Sequence, residues 1–437
     1  MESVAELQKH IDELSFAIDA QLEVLKSLEK RRSDARRALN SKLDPVARLP
    51  LELSTEIFML CTPNLRRPVF AKEPLKFLHV CRLWREIAVS CPSLWTSIQI
   101  NENESTDPEF YEACSNWLER ARALPLSICL RGLVGEPLGV LLKRFAGQVA
   151  CLELYIPDDI CLYCVERQVP FSSLQTIKIC HSKQASDSEE MFDDSEFDVD
   201  TFYDSSIDLL LGAPSLVECI FDSIQHAENL ERDREVHTSL RHLRLGTPSV
   251  HSYQSRNSAN ILLYLKLPAL ETLHLSDLDI SPGDFVSFVS ESGCAASLQA
   301  LYMKISNNAE WQFSSDLLSL CFRSFAALKT LEFFHIDDHD FLVFLEVFGS
   351  AQDFLPNLNN FFLHGYFGKS SHWNVLLDTM LSRGSARNGS LQSVKVISIS
   401  MNMPKRTDPH DGVLRRIREL VKEGMSIYVG NLHTNFI

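Results

Sequence analysis

No run in the chain approaches the roughly 18 uninterrupted apolar residues that a membrane span requires. The first residues alternate charge from Glu2 onward and lack the basic-then-apolar layout of a secretory leader. From these absences the protein is expected in the cytosol or nucleus, with no membrane partner. No disulfide framework is laid out either. The 12 cysteines are scattered singly, mostly inside apolar runs such as those around Cys129, Cys219 and Cys321, as buried thiols are in a reducing compartment. Catalytic motifs are missing: there is no Gly-rich phosphate loop, no His-Glu-x-x-His and no Gly-x-Ser-x-Gly. The 14 histidines have no partner pattern, so the chain reads as non-enzymatic, with no catalytic residue and no cofactor. Cys161-Leu162-Tyr163-Cys164 has ligand spacing, but a structural zinc needs four ligands and no second close pair accompanies it. His335 to Asp340 reads as a polar helix start rather than a metal site.

Clustered base is scarce as well. The one dense group, Lys30, Arg31, Arg32, Arg36 and Arg37, sits with Asp34 on a helix-patterned segment and reads as a solvated face. Phosphate backbones need more than that, so no nucleic-acid partner is expected. The net charge of −16 is concentrated in residues 184–208, which hold ten acids and no base. Like charges so dense repel, and the few apolar residues among them do not offset the entropy of ordering. The segment is expected to be a surface loop whose end, Ile207 to Leu211, packs as a helix. Ser186 and Ser195 each have an acid three residues on, which suits an acid-directed kinase.

What is present falls into three parts: residues 1–43, 44–98 and 99–437. In the first, Val4, Leu7, Ile11, Leu14, Ile18, Leu25 and Leu28 follow a 3-4 spacing, with Gln21 at one seam position. No Gly or Pro interrupts residues 3–39, which predicts one helix with a heptad seam. Such a seam must be covered by a second copy of the chain, by another protein, or by folding back on its own body. Asp44-Pro45 ends it, because proline lacks the amide proton and clashes backward.

The second part predicts short helices. One starts at Leu49-Pro50, with Pro50 in its first turn and Leu49, Leu53, Ile57 and Phe58 on one face; another spans Leu75–Val89, ended by Pro92. Residues 44–98 resemble the fungal, basidiomycete-type F-box. The match lies in Asp44 to Leu53, then Glu56-Ile57-Phe58, Val80-Cys81-Arg82-Leu83-Trp84-Arg85 and Pro92-Ser93-Leu94-Trp95. The loop Cys61–Pro74 is longer than in compact F-boxes, and Leu51 replaces the usual second proline. The resemblance implies binding to the Skp adaptor subunit of a cullin–RING ubiquitin ligase. By it, Leu49, Pro50, Leu53, Ile57, Val80, Cys81 and Trp84 would form the core and adaptor surface.

From there the chain repeats. A loose Leu-x-x-Leu-x-Leu spacing begins at Val149, Leu174, Leu216, Leu240, Leu270, Leu298, Leu328, Leu358 and Leu391, at intervals of 25, 42, 24, 30, 28, 30, 30 and 33. The long interval contains the acidic stretch. Helix-period segments lie between, as at Ser281-Pro282-Gly283-Asp284 with Phe285 and Phe288, at Trp373 to Met380, and at Leu414, Ile417, Leu420 and Val421. Strand and helix alternating at this period predict an α/β class fold: an irregular leucine-rich-repeat solenoid with a parallel strand ladder. Helical N-terminus, F-box and irregular repeats together resemble a large group of fungal proteins. That likeness implies a substrate-recognition adaptor whose repeats present a concave face to a protein target. A repeat scaffold without a ubiquitin role is the alternative.

Overall fold

The computed structural model describes residues 4–62, 73–101, 108–131, 136–156, 170–181, 207–222, 233–246, 259–276, 280–304, 311–336, 338–365, 370–384, 390–398, 409–430, 435 and 437. The acidic stretch before Ile207 and the Cys161/Cys164 pair lie outside them. The chain divides into two compact units: residues 1–99 with 112–127, and 100–111 with 128–437.

The first unit opens with α1 (Val4–Leu43), a single uninterrupted helix of 40 residues. It stops where proline predicted. Arg48 then donates a hydrogen bond to the Lys42 carbonyl at 2.5 Å, satisfying one acceptor the helix end leaves over. Three short helices follow: α2 (Leu51–Cys61), α3 (Glu73–Val80) and α4 (Arg82–Ser90). Two details depart from the expected layout. Pro50 is the N-cap of α2 rather than part of its first turn. The helix expected over Leu75–Val89 is two helices, because Cys81 is extended (φ −157°, ψ 173°) and its Sγ accepts the Trp84 N–H, capping α4. A polar atom three residues before a free amide competes with helix continuation.

The core of these helices is aromatic. Phe58 stacks on Phe77 at 4.4 Å, and Trp84 tilts against both. Trp84 Nε1 donates to Asp44 Oδ2 at 2.5 Å, and Asp44 Oδ1 accepts the Val46 amide at 2.9 Å, tying the start of this unit to α4. Nearby, Trp95 is fully buried, donates to the Ala88 carbonyl and packs edge-on against Trp117.

The strands form a twelve-stranded sheet in the order β1-β2-β3-β4-β5-β7-β9-β10-β11-β12-β13-β14, with β6 and β8 paired separately. The strands are β1 (Ser97–Asn101), β2 (Leu126–Arg131), β3 (Val149–Ile156), β4 (Thr176–His181), β5 (Glu218–Asp222), β6 (Glu235–Val236) and β7 (His242–Leu245). They continue as β8 (Leu265–Lys266), β9 (Thr272–Leu275), β10 (Ala300–Lys304), β11 (Thr330–Ile336), β12 (Asn360–Gly365), β13 (Ser393–Ser398) and β14 (Ser426–Gly430). From β3 onward every neighbouring pair in the sheet is parallel. Helices α5 (Pro108–Arg120) and α6 (Glu136–Phe145) precede β2 and β3. Then α7 (Pro282–Ser292), α8 (Ser315–Phe322), α9 (Asp338–Ser350), α10 (Ser370–Arg383) and α11 (Asp411–Lys422) alternate with the later strands.

The leucine spacing maps directly onto the ladder. Val149, Leu152 and Leu154, the triplet Leu270, Leu273 and Leu275, and their counterparts through Leu391, Val394 and Val396 are all buried. One backbone device repeats: in the sheet from β4 to β12, the residue before the strand offers its carbonyl to two successive amides of the next repeat. Glu271 O accepts from Gln299 and Ala300, Gln299 O from Lys329 and Thr330, and Lys329 O from Asn359 and Asn360. This fixes the register of each repeat on its neighbour. Where β12 meets β11 the register slips between Phe334 and Ile336. There Gly365 admits the Ile336 carbonyl into space a Cβ would occupy.

The helix starts follow their sequence signals. Ser281 Oγ accepts the Asp284 amide at 3.1 Å ahead of Pro282, and Ser314 does the same for Leu317. Residues 207–211 are helical with Ile207, Leu209 and Leu210 buried, as expected. In α11 the buried stripe is Val413, Ile417 and Leu420; Leu414 is half-buried and Val421 exposed. Toward the C-terminus phenylalanines fill the interior, with Phe313, Phe333, Phe344, Phe348 and Phe361 in ring contact.

Candidate functional site

Each unit carries one candidate surface. On the first, the residues expected to serve a partner separate into two sets. Phe58 is buried, so it does not share a face with Leu49, Leu53 and Ile57. Residues 54 and 58 lie on one side of α2 and face the core, while 53, 57 and 60, about one turn apart, lie on the other. Leu49, Pro50, Leu53, Ile57 and Val80 are exposed, Leu53 by 52% and Val80 by 55%. Leu51, Leu60, Leu75 and Leu83 are exposed large apolar residues too. Cys81 and Trp84 are half-buried and belong to the packing: one caps α4, the other anchors to Asp44. The helices thus bury one aromatic cluster and leave an apolar surface in water. Scattered exposed leucines need no explanation, but so many on three short helices do.

The heptad residues Val4, Leu7, Ile11, Leu14, Ile18, Leu25 and Leu28 are all exposed. Within the first unit, no described element covers the seam.

The second surface is the outward face of the strand ladder. Between the two buried positions of each strand one side chain points out. The register aligns Glu153, Lys178, Ile220, Arg244, His274, Tyr302, Glu332, Phe362, Lys395 and Tyr428 in one row across ten strands. These side chains are half-buried against one another. His274 and Tyr302 stack at 3.9 Å with planes 3° apart. His364 Nε2 lies 2.9 Å from Glu332 Oε1, and its ring stacks on Phe334. At the other end, Arg131 sits 4.4 Å above the Tyr155 ring and Lys178 donates to Tyr155 Oη at 3.1 Å. Burial, then Arg244, push the His274 pKa down to about 4, with Glu332 opposing. Burial and Glu332 raise Tyr302. For Lys178 burial pulls downward, but the Tyr155 bond and nearby negative charge outweigh it, so its pKa rises.

This row was not singled out in the sequence, though a signal existed: every member except Tyr428 is the variable residue between the second and third positions of the Leu-x-x-Leu-x-Leu spacing. The face combines flat aromatic platforms with both charge signs, a mixture suited to a folded or extended protein surface. Among the described residues no three His, Cys, Asp or Glu side chains group as metal ligands. In the His335–Asp340 segment, Asp340 is buried and accepts the Phe313 amide at 2.6 Å, a structural bond. No described helix is long and apolar enough to cross a membrane.

No family model matches the sequence, and no curated protein matches it. Among solved structures, the chain is similar to the crystal structure of a TLR13–ssRNA13 complex, at TM-score 0.34 and 14% identity. The similarity covers 64% of this chain and 37% of that one, so this chain matches little more than a third of that protein's length. Identity this low transfers no ligand.

Proposed function

We propose that the protein is a substrate-recognition adaptor of a Skp–cullin–F-box ubiquitin ligase. The apolar face of the first unit docks the Skp subunit, and the outward strand face of the second holds a protein target. The observation that carries the reading is the set of exposed apolar residues Leu49, Leu53, Ile57 and Val80 over a closed Phe58–Phe77–Trp84 core. Three helices this short leave a face that a partner helix or helices can bury. The motif residues quoted above supply the identity of that partner. The adaptor needs no catalytic group of its own, because holding the target near a charged enzyme supplies proximity.

The test separates the two faces. Leu53→Arg with Ile57→Arg changes exposed positions and leaves the core intact. This variant is expected to lose co-purification with the Skp subunit and cullin, since central apolar contacts commonly carry about 2 kcal/mol or more each. Tyr302→Ala is expected to retain the Skp subunit and lose the target. Wild-type yield of the Skp subunit with the double arginine variant would sink the adaptor reading.

A further inference from the structure

The seam of α1 is an exposed apolar feature that neither the Skp-docking face nor the strand face uses. We infer that it is covered by α1 of a second copy of the chain, running antiparallel. Charge and register along the helix set this direction. Residues 4–23 contain five carboxylates (Glu6, Asp12, Glu13, Asp19 and Glu23) against one cation, Lys9. Residues 24–43 contain seven cations, Lys26, Lys30, Arg31, Arg32, Arg36, Arg37 and Lys42, against Glu29 and Asp34. The helix is therefore acidic in its first half and basic in its second. Opposite directions lay the acidic half of one copy along the basic half of the other over the full helix. Same directions lay basic along basic.

The seam gives the same answer. With Val4, Ile11, Ile18, Leu25, Arg32 and Leu39 at one core position and Leu7, Leu14, Gln21, Leu28, Ala35 and Lys42 at the other, parallel packing sets Arg32 against Arg32 inside the core. It also sets Arg31 beside Arg36 of the second copy. In antiparallel packing with full overlap, Leu7 meets Leu39 of the second copy, Ile11 meets Ala35, Ile18 meets Leu28, and Gln21 meets Leu25. Arg32 then lies over Leu14, where its stem packs and its head reaches water. Two further residues are accounted for. Leu22 and Val24 flank the core positions and are exposed in the single chain. In this register each falls on the twofold axis and meets its own counterpart, widening the apolar seam at its centre. The helix is 40 residues long, so its contact runs about 60 Å at 1.5 Å per residue.

The experiment uses the full chain in three readings. Light scattering is expected to give a dimer, and both Ile11→Asp and Leu25→Asp are expected to give monomers with unchanged far-ultraviolet circular dichroism. Both positions are exposed in the single chain, so neither change disturbs its own packing. Raising salt from 50 to 500 mM is expected to weaken the dimer several-fold, because screening removes the attraction between unlike halves. Benzoylphenylalanine placed at Gln8 is expected to photo-cross-link to peptides within 29–43 of the second copy. A monomeric wild type, a dimer indifferent to both aspartates, a dimer strengthened by salt, or cross-links from position 8 to residues 4–20 of the second copy would each overturn the inference. A Skp-binding failure leaves these readings unchanged, since they involve no other protein.

Discussion

Arg383 is a buried cation whose hydrogen bonds all go to backbone. Its Nε donates to the Phe348 carbonyl at 2.6 Å, Nη1 to Gln352 at 3.2 Å, and Nη2 to Ala351 at 2.8 Å and to Phe354. The guanidinium lies 4.2 Å over the Phe348 ring. One side chain of α10 thus collects carbonyls at the end of α9 and in the turn after it; of these, that of Ala351 also accepts the Phe354 amide at 3.1 Å. Its replacement by methionine keeps an unbranched apolar stem and removes every donor. Hydrogen bonds to a charged donor contribute about 1.5–3 kcal/mol each. Against their loss stands the several kcal/mol it costs to bury the cation, which methionine no longer incurs. Water reaches the exposed Gln352 more easily than Phe348 or Phe354, so part of the deficit is recovered. The net expectation for Arg383→Met is a loss of about 2–4 kcal/mol. Lysine, a point charge without the planar fork, should recover less than half of it. Urea unfolding followed by circular dichroism measures the difference, and hydrogen exchange should speed up across residues 348–354. A shift below about 0.5 kcal/mol, with exchange there unchanged, would refute the reasoning.

Two further outcomes follow from the geometry. His274 has a folded pKa of about 4, lowered first by burial and then by Arg244. An unfolded histidine titrates near 6.5. Between those values the unfolded chain binds a proton that the folded chain refuses, so stability falls as pH drops from about 6.5 to 4. His274→Phe preserves the stack on Tyr302 and should reduce the loss in urea midpoint between pH 7 and pH 5; an equal loss in both proteins would contradict the assignment. Asp44→Ala leaves Trp84 Nε1 and the Val46 amide without their acceptor. It should destabilise the first unit by about 1–2 kcal/mol with a change in tryptophan emission, and an unchanged melting profile would count against that link.

The ladder was the most legible part of the chain, because burial of one strand face imposes a spacing that survives substitution among Leu, Ile, Val, Phe and Met. Every triplet from Val149 to Val396 is inside. The end of α1 was legible for a local reason, a proline. The break at Cys81 was not, because a thiol capping Trp84 looks the same in sequence as a helical cysteine. Nor was the outward placement of Leu53 and Ile57 apart from Phe58: a short helix apolar on two sides gives no single stripe, and only the packing of Phe77 and Trp84 chooses which side is inside.

By itself the amino-acid order determined the uninterrupted first helix, the repeat period, the alternation of strand and helix, and the parallel pairing that such alternation demands. These rest on local backbone preference and on the periodicity of apolar residues, which one strand or one turn suffices to express. Tertiary structure alone decided which variable residues stand side by side. Arg244, His274, Tyr302 and Glu332 are some thirty residues apart in the chain and adjacent on the sheet. Arg383 finds its carbonyls one repeat away. Such contacts depend on the register between repeats. That register is set by shared backbone carbonyls and interlocking side chains, which no single repeat contains.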